Sequence, residues 1–212
     1  MLLLQLAMLL LRLKELFLQN LANMITLLGA SAAVWLLFLA ILHPEQILLM
    51  LFLAGFIGLT DLLDGIAAKR LKIKSRIGGA MDRLRDKLFI CPTLVILTWH
   101  YWIPARDSVL VPVFTEVLVI LIVTIEVVLT FICFAGIFKK LDVSSNEYGR
   151  KKMFCQFVVI IVWLLSFALE KYSELPIIKF SIYFIDFSLA VTVYFALKSL
   201  AGYFQRYTKN PR

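Results

Sequence analysis

Charge is scarce in this chain. Asp, Glu, Lys and Arg make up only 17% of its 212 residues, whereas 62% are hydrophobic. A soluble domain carries about a quarter charged residues, so this balance excludes an ordinary water-soluble fold and requires lipid as the solvent. Cysteine is sparse as well. Cys91, Cys133 and Cys155 all sit inside apolar runs, are odd in number, and form no CxxC pair. That argues against a disulfide framework or a thiolate metal centre and for small buried hydrophobes. The only histidines, His43 and His100, lie at the ends of separate apolar runs, which argues against a histidine metal site and makes them interfacial residues. The opening MLLLQLAMLLL lacks a preceding basic residue and a following small-residue cleavage site, so it does not read as a signal peptide. There is no internal repeat and no low-complexity segment.

What remains is all helical. A spanning helix needs about 20 mostly apolar residues. The apolar stretches predict six spans, over residues 24–42, 47–70, 77–101, 109–138, 153–169 and 177–204, within one membrane domain covering 1–212. Residues 1–22 place Gln5, Arg12, Glu15 and Gln19 on one helical face and leucines on the other, which predicts an amphipathic helix lying in the membrane surface. The six-helix bundle then occupies 24–204, and 205–212 form a basic tail.

The formal net charge of +8 is unevenly placed. Arg12, Lys14, the 69–76 linker, the 139–152 segment and the C-terminal tail share one side, and only Arg106, Lys171 and Lys179 fall on the other. Short cytoplasmic loops carry the excess of Lys and Arg, so both termini and this basic face are expected in the cytoplasm. The protein is then integral to a cytoplasmic or inner membrane. Anchoring alone accounts for much of the charge, and the small polar surface leaves nucleic acid out as a partner.

Four aspartates break the apolar pattern. Asp61 and Asp64 are three apart near the inner end of the second span, and Asp82 and Asp86 are four apart at the start of the third. These spacings put each pair on one helical face, and the short linker makes the two helices neighbours. Four converging carboxylates raise one another's pKa unless cations compensate them. A cluster of this kind suits a hard divalent ion such as Mg²⁺, which takes oxygen ligands and shares its shell with phosphates. Gly65, Ala68, Gly78 and Gly79 keep side chains out of the gap between the helices. Salt bridges to nearby Lys and Arg are the plain alternative for any one of these aspartates. A cation or metabolite transporter is the rival from another functional class, but it calls for carboxylates near the midplane rather than at one end. Glu126 and Asp186 are such mid-span charges, read here as bundle-facing carboxylates hydrogen-bonded to a neighbouring helix, with a proton or substrate pathway as the alternative.

The stretch DLLDGIAAKRLKIKSRIGGAMDRLRD, from Asp61 to Asp86, resembles the signature of the CDP-alcohol phosphotransferase family: Asp, two residues, Asp-Gly, two residues, Ala-Arg, eight residues, Gly, three, Asp, three, Asp. Every spacing matches, and Lys69 stands where the family has arginine, with Arg70 following. The resemblance implies a divalent-metal enzyme that moves a phosphatidyl group from a CDP-linked lipid to an alcohol. Asp61, Asp64 and Asp82 would hold a pair of Mg²⁺ or Mn²⁺ ions, and Asp86 would join them and act as the base. Gly65, Ala68 and Gly78, with Lys69 and Arg70, would receive the CDP donor. A homodimer is implied too.

TDLLDG, Asp86-Lys87 and the later GRKKMFCQ are similar to the branch that takes glycerol 3-phosphate as acceptor, the phosphatidylglycerolphosphate synthases. That likeness makes CDP-diacylglycerol the expected donor and Arg150, Lys152 and Gln156 the candidates for the acceptor's phosphate, against a plain anchoring role for the two cations. Inositol phosphate, serine or another lipid are alternative acceptors. Arg83 and Arg85, which depart from that branch's pattern, bear on the choice, and Lys69 leaves a catalytically impaired scaffold as a further reading.

Overall fold

A computed structural model describes residues 24–71, 87, 89–100, 110–138, 146–173 and 177–209. Among these residues every regular element is a helix: α1 Met24–Leu42, α2 Ile47–Leu71, α3 Phe89–His100, α4 Leu110–Phe138, α5 Glu147–Ser173 and α6 Ile177–Lys209. Four of them contain stretches long and apolar enough to cross a membrane: Met24–Leu42, Val113–Gly136, Glu147–Ser173 and Ser181–Arg206. The apolar part of α2, Ile47–Leu63, and α3 are shorter. The amphipathic helix expected at 1–22 and the linker at 72–86 lie outside the described residues.

The helices assemble as the composition requires. Leu36, Ala54, Leu94, Ile122, Ile160, Trp163 and Leu189, one or more from each helix, pack into one buried core. Large side chains such as Trp99, Phe131 and Phe154 point outward and are exposed. An apolar outer surface of this extent is not tolerated in water, so the bundle is integral to a membrane. Hydroxyls inside the spans turn back on their own helices: Thr93 donates to Phe89 O, Thr98 to Leu94 O, and Ser166 to Val162 O. Local bonds of this kind let a polar side chain sit where no water is available.

α1 and α2 are joined by a tight turn in which the Gln46 amide donates to His43 O at 3.0 Å. α5 packs along α6 and against α2, and α4 also lies on α6. His100 meets Ala40 O at 2.8 Å, so α3 ends beside the end of α1. Two contacts give the sense of α2 against α5. Lys171, at the end of α5, donates to Glu45 O ahead of α2, and Gly58 faces the ring of Phe157 so closely that a Cβ there has no room. The two helices therefore run antiparallel.

α5 starts earlier than the sequence reading has it. The polar run before 153 is helical from Glu147, because Asn146 caps it: its Oδ1 accepts the Gly149 amide at 2.7 Å. The same oxygen accepts the Ser199 hydroxyl at 3.0 Å, and Asn146 Nδ2 donates to Ser199 O at 3.0 Å. The cap thus fastens the start of α5 to α6 and brings Arg150 and Lys152 onto an ordered helix.

Candidate functional site

The antiparallel packing of α2 and α5 fixes what lies at one end of the bundle. Past Gly58, α2 carries Asp61 and then Asp64, while α5 read backwards from Phe157 carries Gln156, Lys152 and Arg150. The carboxylate turn of α2 is therefore level with the basic turn of α5. Asp61 is exposed on its helix. Asp64, Gly65, Ala68, Lys69 and Arg70 continue α2 to Leu71, so the backbone half of the expected arrangement is in place there. Gly78, Asp82 and Asp86 lie outside the described residues, but Lys87 directly follows Asp86 and is described.

Lys87 belongs to a buried polar cluster that joins three helices. At its centre is Glu126 of α4, 3% exposed. Lys152 of α5, 4% exposed, sets its Nζ 2.6 Å from Glu126 Oε1, and Gln156 Nε2 donates to the same oxygen at 2.9 Å. Lys87 reaches in from the start of α3, with its Nζ 3.6 Å from Glu126 Oε2. It also donates to Glu126 O at 3.2 Å and to Thr130 Oγ1 at 2.8 Å. Ion pairs out of water hold when their geometry is good, and the short Lys152–Glu126 contact backed by Gln156 supplies it. Two ammonium groups face one carboxylate, so these side chains together carry one surplus positive charge. A cavity lies against them, lined also by Cys91, Ser199 and Tyr203. A buried surplus cation beside a cavity attracts an anion.

The sequence-derived acceptor residues thus part company. Lys152 and Gln156 come together inside the bundle, while Arg150 is exposed at its rim. Lys151, which the same segment also offers, points away and pairs with Glu147 at 2.7 Å on the surface. Glu126, read as a carboxylate bonded to a neighbouring helix, has that role, and so does Asp186, which accepts the Thr115 hydroxyl at 2.7 Å. Sequence reasoning missed Lys87 as a partner of Glu126. The signal lay in the Asp86-Lys87 step, which puts a lysine directly ahead of an apolar run.

Among the described residues no three His, Cys, Asp or Glu side chains gather as a metal site. Asp82, Asp86 and the side chain of Asp64 lie outside that set. The part that is described fits a hard divalent cation by its donor chemistry: Asp61 and Asp64, one turn apart on a continuous helix, offer only oxygen.

The sequence profile described as CDP-alcohol phosphatidyltransferase matches residues 19–196. A Bacillus subtilis protein named CDP-diacylglycerol--glycerol-3-phosphate 3-phosphatidyltransferase is 28% identical over 147 residues, which cover 69% of this chain and 67% of that protein. A Blochmanniella floridana protein of the same name is 28% identical over 124 residues, 57% of this chain and 58% of that one. A Streptomyces coelicolor protein named Cardiolipin synthase (CMP-forming) is 37% identical over 93 residues, 40% of each. The chain thus spans about two thirds of the first of these relatives and less of the other two.

Proposed function

We propose, because this chain belongs to the CDP-alcohol phosphatidyltransferase family, that it transfers a phosphatidyl group from CDP-diacylglycerol to the hydroxyl of glycerol 3-phosphate and releases CMP. The observation that carries the reading is the level packing of two unlike turns. The Asp61–Asp64 turn of α2 lies opposite the Lys152 turn of α5, and Lys87, next to Asp86, is bonded into the same cluster.

Asp61, Asp64 and Asp82 would hold a pair of divalent ions, Mg²⁺ or Mn²⁺, with Asp86 at the same site. Bound there, the ions neutralise the donor's diphosphate, polarise the reacting phosphorus and stabilise departing CMP. Gly65, Ala68 and Gly78 leave room for the cytidine, and Lys69 and Arg70 grip the diphosphate. Lys152 and Gln156, with Arg150 at the rim, orient the acceptor through its phosphate. Asp86 takes the hydroxyl proton as the acceptor oxygen attacks the phosphorus that bears the diacylglycerol. A new P–O bond forms, the P–O bond to CMP breaks, and CMP leaves with the electron pair.

Around this site stand the finer features expected from the sequence: one membrane domain over 1–212, six spans behind an amphipathic surface helix, a homodimer, and a site opening to the cytoplasm. The donor's acyl chains stay in lipid while its CDP head enters between α2 and α3. A second reading takes phosphatidylglycerol as the acceptor, and the 37% identity with the Streptomyces coelicolor protein favours it over other alcohols.

The test is CMP release by the purified protein with CDP-diacylglycerol and Mg²⁺, each acceptor offered in turn. Glycerol 3-phosphate is expected to support release, and excess EDTA to stop it. Release only with phosphatidylglycerol would move the assignment to the second reading, as inositol phosphate would to a third acceptor. No release with any acceptor would overturn the function.

A further inference from the structure

We propose that Glu126 is a positioning residue for the acceptor: its buried carboxylate holds Lys152, Gln156 and Lys87 in one arrangement and so sets where the acceptor's anionic group sits. The proposal rests on the transfer reading above. Its ground is the shape of the cluster. One Glu126 oxygen takes both Lys152, at 2.6 Å, and Gln156, at 2.9 Å, which lie one turn apart on α5. The other faces Lys87, two residues ahead of α3, at 3.6 Å. A lysine side chain is long and flexible, and its ammonium is a point charge without directional preference. Left alone, Lys152 has no reason to present its charge at one place in the cavity. Bonded to a carboxylate that is itself fixed on α4, it does. The carboxylate takes one of the ammonium's three N–H bonds, so it can aim the group and leave its other donors to a ligand.

Lys87 gives the arrangement its reach. It follows Asp86 in the chain, and its bonds to Glu126 O and Thr130 tie the start of α3 to α4. The same residue of α4 thus anchors the basic turn of α5 and the segment next to the proposed base. Moving Glu126 would shift the acceptor's phosphate against the group that deprotonates its hydroxyl. Glu126 touches neither substrate in this account; it acts through the two lysines and the glutamine.

The experiment is steady-state kinetics on the full chain in mixed micelles. The donor is CDP-diacylglycerol, and the acceptor is glycerol 3-phosphate or, if only that supports release, phosphatidylglycerol. Glu126→Gln keeps the size and loses the charge. Its acceptor KM is expected to rise about tenfold or more, the size of a charge-assisted bond, while the donor KM stays unchanged. Glu126→Asp, which keeps the charge and withdraws it by one methylene, should fall between. In Lys152→Met the added change Glu126→Gln should alter acceptor KM by less than about twofold, because the residue it acts through is already gone. This pair removes Glu126 and its closest cation together, so it keeps the test available if Glu126→Gln alone fails to fold. An unchanged or lower acceptor KM in Glu126→Gln would overturn the role. So would equal effects on both substrates, a loss of kcat alone, or additive effects in the double variant. An inactive wild type would instead remove the transfer reading, and the positioning role with it.

Discussion

The C-terminal end of α2 and the Glu126 cluster lie level in one bundle, yet they are built on opposite principles. On α2, like charges are set one turn apart on a single continuous helix, Asp61 and then Asp64. Like charges at this spacing repel, and a bound cation lowers that cost. Around Glu126, unlike charges from α3, α4 and α5 satisfy one another inside the protein, with one positive charge over. In the proposed function the first region receives a metal and a diphosphate. The second is assembled in advance, and its surplus suits one anionic group. A transferase that must place two anionic substrates side by side gains from this difference, because each region attracts its own substrate without cancelling the other.

The largest effects should come from breaking the acidic region. Asp86→Asn is expected to bind donor but lose turnover by about 10²–10⁴-fold, the size of a general-base contribution, and added Mg²⁺ should not restore it. Asp64→Asn should instead weaken metal and donor binding together and recover in part at high Mg²⁺. Donor calorimetry across Mg²⁺ concentrations, with initial rates, separates the two. Next in size is the internal pairing. Lys152→Met removes the closest partner of a buried carboxylate, and a broken buried pair costs about 3–5 kcal/mol, so denaturant unfolding in detergent should shift markedly. Arg150→Ala, at the exposed rim, should leave unfolding unchanged and raise only the acceptor KM. Equal stability losses in both would deny the buried pairing.

A smaller effect tests how the two regions are held level. Gly58→Ala puts a methyl against Phe157, and overpacking of that kind costs about 1–3 kcal/mol. Turnover should fall along with stability, and Phe157→Leu in the same chain should recover both. The smallest belongs to the cap: Asn146→Ala should cost about 1 kcal/mol and loosen the start of α5 in hydrogen exchange.

These two regions also differ in how far they can be read from residues alone. The acidic half is legible because its parts are close in the chain and share one helix period, so spacing alone places Asp61 and Asp64 on one face. The helical run from Ile47 to Leu71 follows from the length of its apolar stretch. The other half depends on side chains more than 20 residues apart: Gln156 and Glu126 differ by 30 positions, Lys87 and Thr130 by 43. Spacing carries no information about such pairs. A lysine at the end of an apolar run reads equally well as a lipid-facing anchor or a buried partner, and only packing separates Lys151 at the surface from Lys152 inside. The early start of α5 was hidden for a related reason. Asn146 is an ordinary polar residue in a polar run, and its role as a cap that also grips Ser199 exists only once α6 is beside it.

A transfer between two substrates held by these two regions must yield both products together, and counting both is the direct test. Glycerol 3-phosphate carrying a label in its glycerol is incubated with CDP-diacylglycerol, Mg²⁺ and the purified protein. Labelled lipid extracted into organic solvent is then compared with CMP released. The account predicts that the two appear one for one, and that both stop with EDTA. CMP without labelled lipid, or no CMP when glycerol 3-phosphate and metal are both present, would contradict it.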